Sequence, residues 1–261
     1  MHWLLESNLF QEHEWDQLVS ALKQRDLPYT VHKVIPFIGE LLPQAELQHP
    51  KVICMGSSSM RLMAAREGWT PGVYDLYDQD FLKQMDAWGD RMLNSDAQTL
   101  PFRDVVLTDW TFLRPATDDK PFAGRMFSPE EFHAWQPRVI ELGLDQSDGL
   151  NPDTLIQLCA PKNIGAEYRY WIVGGEIITS SRYKANGRVR YVHGAPAAMD
   201  DFVRQAVADW QPHRAFVIDV CETQDGPRIV EINTLNSAGF YAGDMARVVD
   251  ALEALEALEA G

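Results

Sequence analysis

The sequence predicts an α/β chain in two parts. A small parallel α/β layer is expected over residues 1–95, and a larger α+β part with antiparallel sheets over residues 96–261. Three observations predict it. Strand-like and helix-like stretches alternate through the first third, which is how parallel strands are connected. A polar stretch from Asn94 to Pro101 breaks that pattern. Beyond it, two pairs of apolar runs are joined by short glycine-containing turns, the mark of antiparallel hairpins.

The elements follow in order. Trp3-Leu4-Leu5 reads as a short strand, and from Glu12 to Arg25 the residues Trp15, Leu18, Val19 and Leu22 fall at helical spacing. Pro28 precedes a strand from Tyr29 to Ile35, and the apolar run Lys51 to Met55 reads as a buried strand. Gly56-Ser57-Ser58-Ser59 opens a helical stretch to Arg66, and a further helix is expected over Asp80 to Leu93. After the break, Val105 to Leu107, Phe112 to Arg114 and Phe122 to Phe127 read as short strands. Ser128-Pro129-Glu130-Glu131 is a capping box that starts a helix. Gly174-Gly175, suited to the positive φ angles of a two-residue turn, joins Glu167–Val173 to Glu176–Tyr183. Asp200 to Trp210 reads as a helix, and Arg214–Cys221 and Arg228–Asn233 flank a second turn at Gln224-Asp225-Gly226. Asp244 to Ala260, with its Ala-Leu-Glu repeat, is rich in helix formers and reads as a solvated terminal helix.

Composition bounds the function. With 261 residues, 46% apolar and 23% charged, the chain has ordinary globular usage, which excludes disordered and fibrous classes and allows one or two domains. A net charge of −15 disfavours duplex nucleic acid and anionic membranes as generic partners, but a local cluster of Arg and Lys can still hold a small anion. Cys54, Cys159 and Cys221 are odd in number and widely spaced, so free thiols in a reducing compartment are expected. The first residues have no basic n-region, and no run approaches the roughly 20 apolar residues of a membrane helix; a cytoplasmic location is expected. The histidines show no zinc spacing, and no GxGxxG, GxxxxGK[ST] or GxSxG motif is present.

Three groups of residues can carry chemistry. Glu231 and Asn233, two apart on a strand, share a face. If Gln224-Asp225-Gly226 is a three-residue loop, Asp219 falls opposite Glu231. Two ionised carboxylates at 4 Å repel by about 4 kcal/mol at an effective dielectric of 20, which a hard cation such as Mg²⁺ offsets. A solvated polar face accounts for the spacing equally well. On the first hairpin, a two-residue turn places Arg169 opposite Ser180 and Glu167 opposite Arg182, with Lys184 next along the same face. That is a plausible anion site, although a surface Glu167–Arg182 ion pair is the preferred reading of the hairpin taken alone. Finally, Arg114 leaves a strand before a polar loop that carries Lys120 toward Gly124, either a polyphosphate cover or a plain surface turn. Ser57 to Ser59 read as a helix cap rather than an anion site.

Taken in order, these pieces resemble the ATP-grasp superfamily over roughly residues 102–250. Phe112-Leu113-Arg114-Pro115 is similar to the strand whose basic residue contacts nucleotide phosphates, and Asp118-Asp119-Lys120 to Gly124 to the loop after it. Leu155-Ile156-Gln157-Leu158-Cys159 resembles the linker strand whose backbone meets adenine. Glu167-Tyr168-Arg169, with Ser181-Arg182-Tyr183, resembles the E-x-R hairpin, and Asp219, Glu231 and Asn233 the D…E-x-N metal triad. Leu235-Asn236-Ser237-Ala238-Gly239 sits where the family has a glycine-containing loop near the reacting groups. Many members carry lysine where Arg114 stands. The resemblance implies two α+β subdomains with antiparallel sheets preceded by a small α/β domain. It implies ATP and Mg²⁺, and ligation of a carboxylate to an amine or similar nucleophile through an acyl phosphate. The metal would lie on Asp219, Glu231 and Asn233, with Arg169 as catalytic residue. Nucleotide contacts would come from Arg114, Lys120, Gln157, Leu158, Cys159, Glu167, Arg182, Lys184 and Asn236. A nucleotide-binding or protein-interaction module without turnover is the alternative.

Overall fold

The computed structural model describes residues 1–35, 39–47, 49–76, 80–116, 122–143 and 149–259. Strands β1 (His2–Glu6), β2 (Tyr29–Ile35), β3 (Glu40–Leu42), β4 (Lys51–Met55) and β5 (Thr70–Gly72) form one sheet in the order β3-β2-β1-β4-β5. β1 runs parallel to β2 and β4, and β4 parallel to β5; β3 returns antiparallel. Central β1 is buried at every position, as a strand covered on both faces must be. Helix α1 (Trp15–Gln24) buries Leu18, Ala21 and Leu22, the spacing expected of it. Helix α2 (Met60–Glu67) departs from expectation at its start: Ser59 makes no side-chain cap, because its own φ and ψ are helical rather than extended. The Ser57 N–H donates instead to the Glu6 carboxylate.

The middle of the chain holds α3 (Phe81–Trp88), β6 (Gln98–Pro101), β7 (Thr111–Pro115), β8 (Arg125–Phe127), α4 (Pro129–Gly143) and β9 (Leu155–Cys159), with an antiparallel sheet in the order β6-β9-β7-β8. The capping box of α4 forms as expected: Glu131 N–H donates to Ser128 Oγ at 3.1 Å and Ser128 N–H to Glu131 Oε2 at 3.2 Å. Val105 to Leu107, expected as a strand, is not one. Val105 and Leu107 are buried in a cluster with Phe102, Phe127 and Phe132, but the backbone finds its partner in a side chain. The Gln136 amide donates to the Phe102 and Val105 carbonyls at 2.7 and 3.0 Å, which removes the need for a neighbouring strand.

The last part contains β10 (Ala166–Val173), β11 (Glu176–Ala185), β12 (Arg188–His193), α5 (Ala197–Asp209), β13 (Ala215–Thr223), β14 (Gly226–Asn233) and α6 (Met245–Glu259). Its sheet is antiparallel throughout, in the order β12-β11-β10-β13-β14. Gly174 and Gly175 turn the β10–β11 hairpin with φ of +59° and +83°, the geometry for which the pair was read.

Contacts divide the chain into two compact units: residues 1–76 with 164–261, and residues 77–163. The first is discontinuous, whereas the sequence division after residue 95 is continuous along the chain. One core unites the discontinuous unit. Trp3, Leu5, Leu22, Ile53 and Met55 pack with Trp171, Val217, Phe240, Val249 and Leu252. Helix α6 therefore does more than solvate a terminus. It buries Met245, Val248, Val249 and Leu252, and its Glu253 and Glu256 accept from Trp3 Nε1 and Tyr74 Oη, both at 2.7 Å.

Asn236 is the polar tie within this unit. It is 2% exposed. Its Oδ1 accepts from Tyr74 N–H at 2.7 Å, its Nδ2 donates to the Cys54 carbonyl at the end of β4, and its own carbonyl accepts from Gly56 N–H at 2.9 Å. Asn236→Ala should lower stability by roughly 2–3 kcal/mol, because it strands one buried N–H and one buried carbonyl. Urea unfolding of the two proteins checks it.

Candidate active site

One face of the last sheet changes character along its strands. Trp171 and Val173 on β10, with Ala215 and Val217 on β13, face the core. Two residues further on, Arg169 and Asp219 occupy the same face, because alternate residues of a strand point the same way. Ser181, Arg169, Asp219 and Glu231 stand opposite one another across β11, β10, β13 and β14. Asp219 grips the guanidinium with both oxygens: Arg169 Nε donates to Oδ1 at 2.9 Å and Nη2 to Oδ2 at 2.7 Å. Arg169 Nη1 donates to the Gly239 carbonyl at 3.1 Å. Asn233 Nδ2 reaches Asp219 Oδ2 at 3.3 Å and Glu231 Oε1 at 3.4 Å. Burial alone would lower the Arg169 pKa, but the Asp219 charge and its hydrogen bonds outweigh that and raise it. Burial raises the Asp219 carboxyl, against the pull of Arg169. Arg169 stays cationic, and a neutral Asp219 would leave it buried without a counter-charge, so the ionised pair is the stable form.

The expected pairing of Asp219 with Glu231 is present, by a different route. The turn has two residues, with Thr223 opposite Gly226, and an extra residue in β14 between Ile229 and Glu231 restores the pairing. The first hairpin differs more. An extra residue at Ile178 places Ser181, not Ser180, opposite Arg169, and Arg182 opposite Tyr168. Arg182 thus leaves the Arg169 face. Lys184 takes the place opposite Glu167, and the two form an ion pair at 2.7 Å. Tyr183 Oη donates to the other Glu167 oxygen at 2.9 Å.

Sequence reasoning reached the start of the loop that covers this face, Leu235 to Gly239, and missed its continuation. Gly239, whose carbonyl meets Arg169, leads into Tyr241, whose ring lies 4.4 Å from the Arg169 guanidinium carbon. Tyr241 and Ala242 have φ of +50° and +67°, conformations that cost non-glycine residues of order 1 kcal/mol each. The one available signal was a pair of aromatic residues set between two glycines, Gly239-Phe240-Tyr241-Ala242-Gly243.

Residues 77–163 hold the other expected nucleotide contacts. Arg114 on β7 pairs with Gln157 on β9, and Leu113 with Leu158. Gln157 is 1% exposed, and neither amide atom has a hydrogen-bond partner among the described residues. An amide buried in that state is short of its usual partners. Cys159 Sγ donates to Asn94 Oδ1 at 3.3 Å. Lys120 lies outside the described residues.

A family model described as an ATP-grasp domain, family 3 of its clade, matches residues 42–252. The chain belongs to the ATP-grasp family. The match starts well before residue 102, so it takes in part of the parallel layer as well as the antiparallel sheets. Solved structures agree on the ATP-grasp fold. A RimK domain protein ATP-grasp from Sphaerobacter thermophilus superposes with a TM-score of 0.61 at 13% identity, over 97% of this chain and 100% of that one. D-cycloserine synthetase DcsG gives 0.60 at 12% identity, over 98% and 100%. D-alanine–D-alanine ligase from Bacillus anthracis, complexed with ATP, gives 0.62 at 11% identity, over the whole of both chains. At these identities the likeness is one of fold. Comparison with curated proteins gives no match. Among the described residues, no helix is long and apolar enough to cross a membrane.

No group of three or more His, Cys, Asp and Glu side chains gathers at a metal-sized point among the described residues. The set offered by this ATP-grasp chain is instead two carboxylates and an amide. Asp219 presents about four lone-pair positions, of which Arg169 takes two and Asn233 one. Turning the Asn233 amide exposes its oxygen instead. The donor set is therefore all oxygen and incomplete, which suits a hard cation that keeps water or phosphate ligands.

Cys54, Cys159 and Cys221 are free and buried. Burial pushes their thiols up to about 12, about 11 and about 12. The thiolate is the reactive form, so raised pKa values suppress reaction at pH 8. Ellman's reagent should find almost no thiol in the folded protein at that pH, more as the pH rises, and all three in guanidinium chloride.

Proposed function

We propose that this ATP-grasp chain is an ATP- and Mg²⁺-dependent enzyme that ligates a carboxylate to an amine or similar nucleophile through an acyl phosphate. The observation that carries the reading is the convergence of Asp219, Glu231, Asn233 and Arg169 on one face of an antiparallel sheet. The Arg169–Asp219 pair has a structural role of its own, and a cation would give the neighbouring Glu231 a role beside it. Mg²⁺, when bound, supplies neutralisation of phosphate charge. Phosphoryl transfer asks the protein for positioning and electrostatics more than for covalent help.

In this reading a substrate carboxylate oxygen attacks the γ-phosphorus and ADP leaves. The amine nitrogen then attacks the acyl carbon, inorganic phosphate leaves, and the amine gives up its proton. Asp219, Glu231 and Asn233 hold the metal. Arg169 stabilises charge on the transferring group with N–H groups not bound to Asp219 or Gly239. Glu167 and Lys184 act as a pair, the carboxylate fixing the lysine beside Arg169. Arg114 and Lys120 hold polyphosphate, and the β9 segment Gln157-Leu158-Cys159 holds adenine. The unpartnered Gln157 amide supports that role, since a bound base offers it donors and acceptors. Arg182, turned to the Tyr168 face, and Asn236, bonded to backbone, contribute less directly. The cytoplasm, where ATP and reduced thiols are found, is the proposed location.

Mixing the protein with ATP, Mg²⁺ and panels of amino acids and peptides should release ADP and phosphate only when both a carboxylate and an amine are present. ATP binding without release would favour a binding module. Calorimetry should show ATP affinity rising with Mg²⁺ and falling in Glu231→Gln; equal affinity throughout would overturn the metal assignment. Arg169→Ala should slow turnover by roughly 10²–10³ while ATP affinity holds. Ala also leaves Asp219 buried without a cation, so Arg169→Lys, which keeps charge but loses the fork, is the cleaner test and should fall between.

A further inference from the structure

The Arg169 guanidinium is held by more than hydrogen bonds. The Tyr241 ring lies over it at 4.4 Å, and the Tyr191 ring, from β12, stacks on Tyr241 at 5.1 Å and 11°. Tyr183 leans on Tyr241 at 5.2 Å. The surrounding loop is shaped around this ring. A Cβ on Gly239 would sit 2.6 Å from a Tyr241 ring atom, so position 239 leaves room only for hydrogen. His193 of β12 meets the Ala242 carbonyl at 3.2 Å and ties the loop down beyond the ring. Yet Tyr241 and Ala242 both keep positive φ, where glycine would be unstrained. A loop selected for stability alone would place glycine there. Tyr241 is thus a side chain kept at the expense of its own backbone.

We propose that Tyr241 is a positioning residue that acts on the reaction through Arg169. Its ring covers one face of the guanidinium, excludes water from it and fixes the plane of the fork. Arg169 then meets an incoming group only at its edge, with the N–H groups that Asp219 and Gly239 leave over. Tyr191 backs the ring and keeps it in that plane. The proposal rests on the phosphoryl-facing role of Arg169 given above, and names the group that sets its orientation.

Four proteins test it: wild type, Tyr241→Phe, Tyr241→Ala and Tyr241→Gly. Turnover should follow the ring. Phe should match wild type, while Ala and Gly should lose roughly ten- to a hundredfold in kcat, with KM for ATP unchanged. Stability should follow the strain instead: Gly should unfold roughly 2–4 °C above Ala, although the two are equally slow. The Arg169 Nε–Hε resonance gives a readout free of ATP. It should lie upfield in wild type and Phe, in the shielding cone of the ring, and move downfield in Ala and Gly. If no protein turns over, the ligase reading fails, and the resonance still decides whether Tyr241 holds Arg169. Wild-type kcat in the Ala variant, a loss in Phe as large as in Ala, equal unfolding temperatures for Ala and Gly, or a resonance unmoved in Ala would each overturn the proposal.

Discussion

The buried ion pair between Arg169 and Asp219 is the constraint on which the rest of this face depends. Arg169 is 6% and Asp219 2% exposed. Removing such charges from water costs several kcal/mol per ion, and the mutual attraction recovers it only with near-ideal geometry and further hydrogen bonds. Each requirement is met by a named neighbour. The fork is bidentate, the Gly239 carbonyl takes a third N–H, Asn233 adds a donor to Asp219, and Tyr241 covers the guanidinium face. The pair also fixes the register of β10 on β13. A slip of one residue would turn Arg169 to the opposite face, where Tyr168 and Tyr170 now point, and leave Asp219 without a cation.

That register has a structural foundation. The same strand face carries Trp171 and Val217 into the apolar core, so the charged cluster begins where the core ends. Trp171 packs on Phe240 of the covering loop, with ring centroids 6.2 Å apart. The loop is anchored before that contact and at it. Asn236 is bonded to Cys54 and Tyr74, and the Phe240 N–H donates to Glu12 at 3.0 Å. The parallel layer of residues 1–76 therefore acts as a frame for the loop that carries Gly239 and Tyr241. That layer carries no motif of its own, and its contribution to the site is made through backbone and buried polar atoms.

Legibility follows from where each signal resides. A strand with a strong apolar run, such as β4, matches its sequence bounds, because local pattern and burial agree. Strand β12 was missed. All of its residues are exposed, so burial imposes no alternation on Arg188 to His193. Val105 to Leu107 misled for the opposite reason: its apolar residues are buried, but a distant side chain, Gln136, supplies the backbone partner. The triad was legible as spacing, since Asp219, Glu231 and Asn233 do share a face. The Arg169–Asp219 pairing and the Tyr241 cover were not, because both need contacts across strands or loops that no short window contains. Bulges explain the remaining register errors. An inserted residue such as Ile178 or Val230 leaves no mark in composition, yet shifts every pairing beyond it.

Those bulges also set the charge of the site. In an unbroken hairpin Arg182 would join Arg169 and Lys184 on the face that bears Glu167, Asp219 and Glu231, and the cluster would be neutral. The extra residue at Ile178 turns Arg182 to the Tyr168 side. Arg228, further along β14, bends its guanidinium back to the Asp225 and Pro227 carbonyls. Of the groups named, Arg169 and Lys184 stay on the face with Glu167, Asp219 and Glu231. Lys184 lies on Glu167 and Arg169 on Asp219, while the Asn233 amide spans Asp219 and Glu231. In the proposed reading, a divalent cation held by Asp219, Glu231 and Asn233 would reverse the local sign for phosphate, because a bound ion is often the largest local charge in such a site.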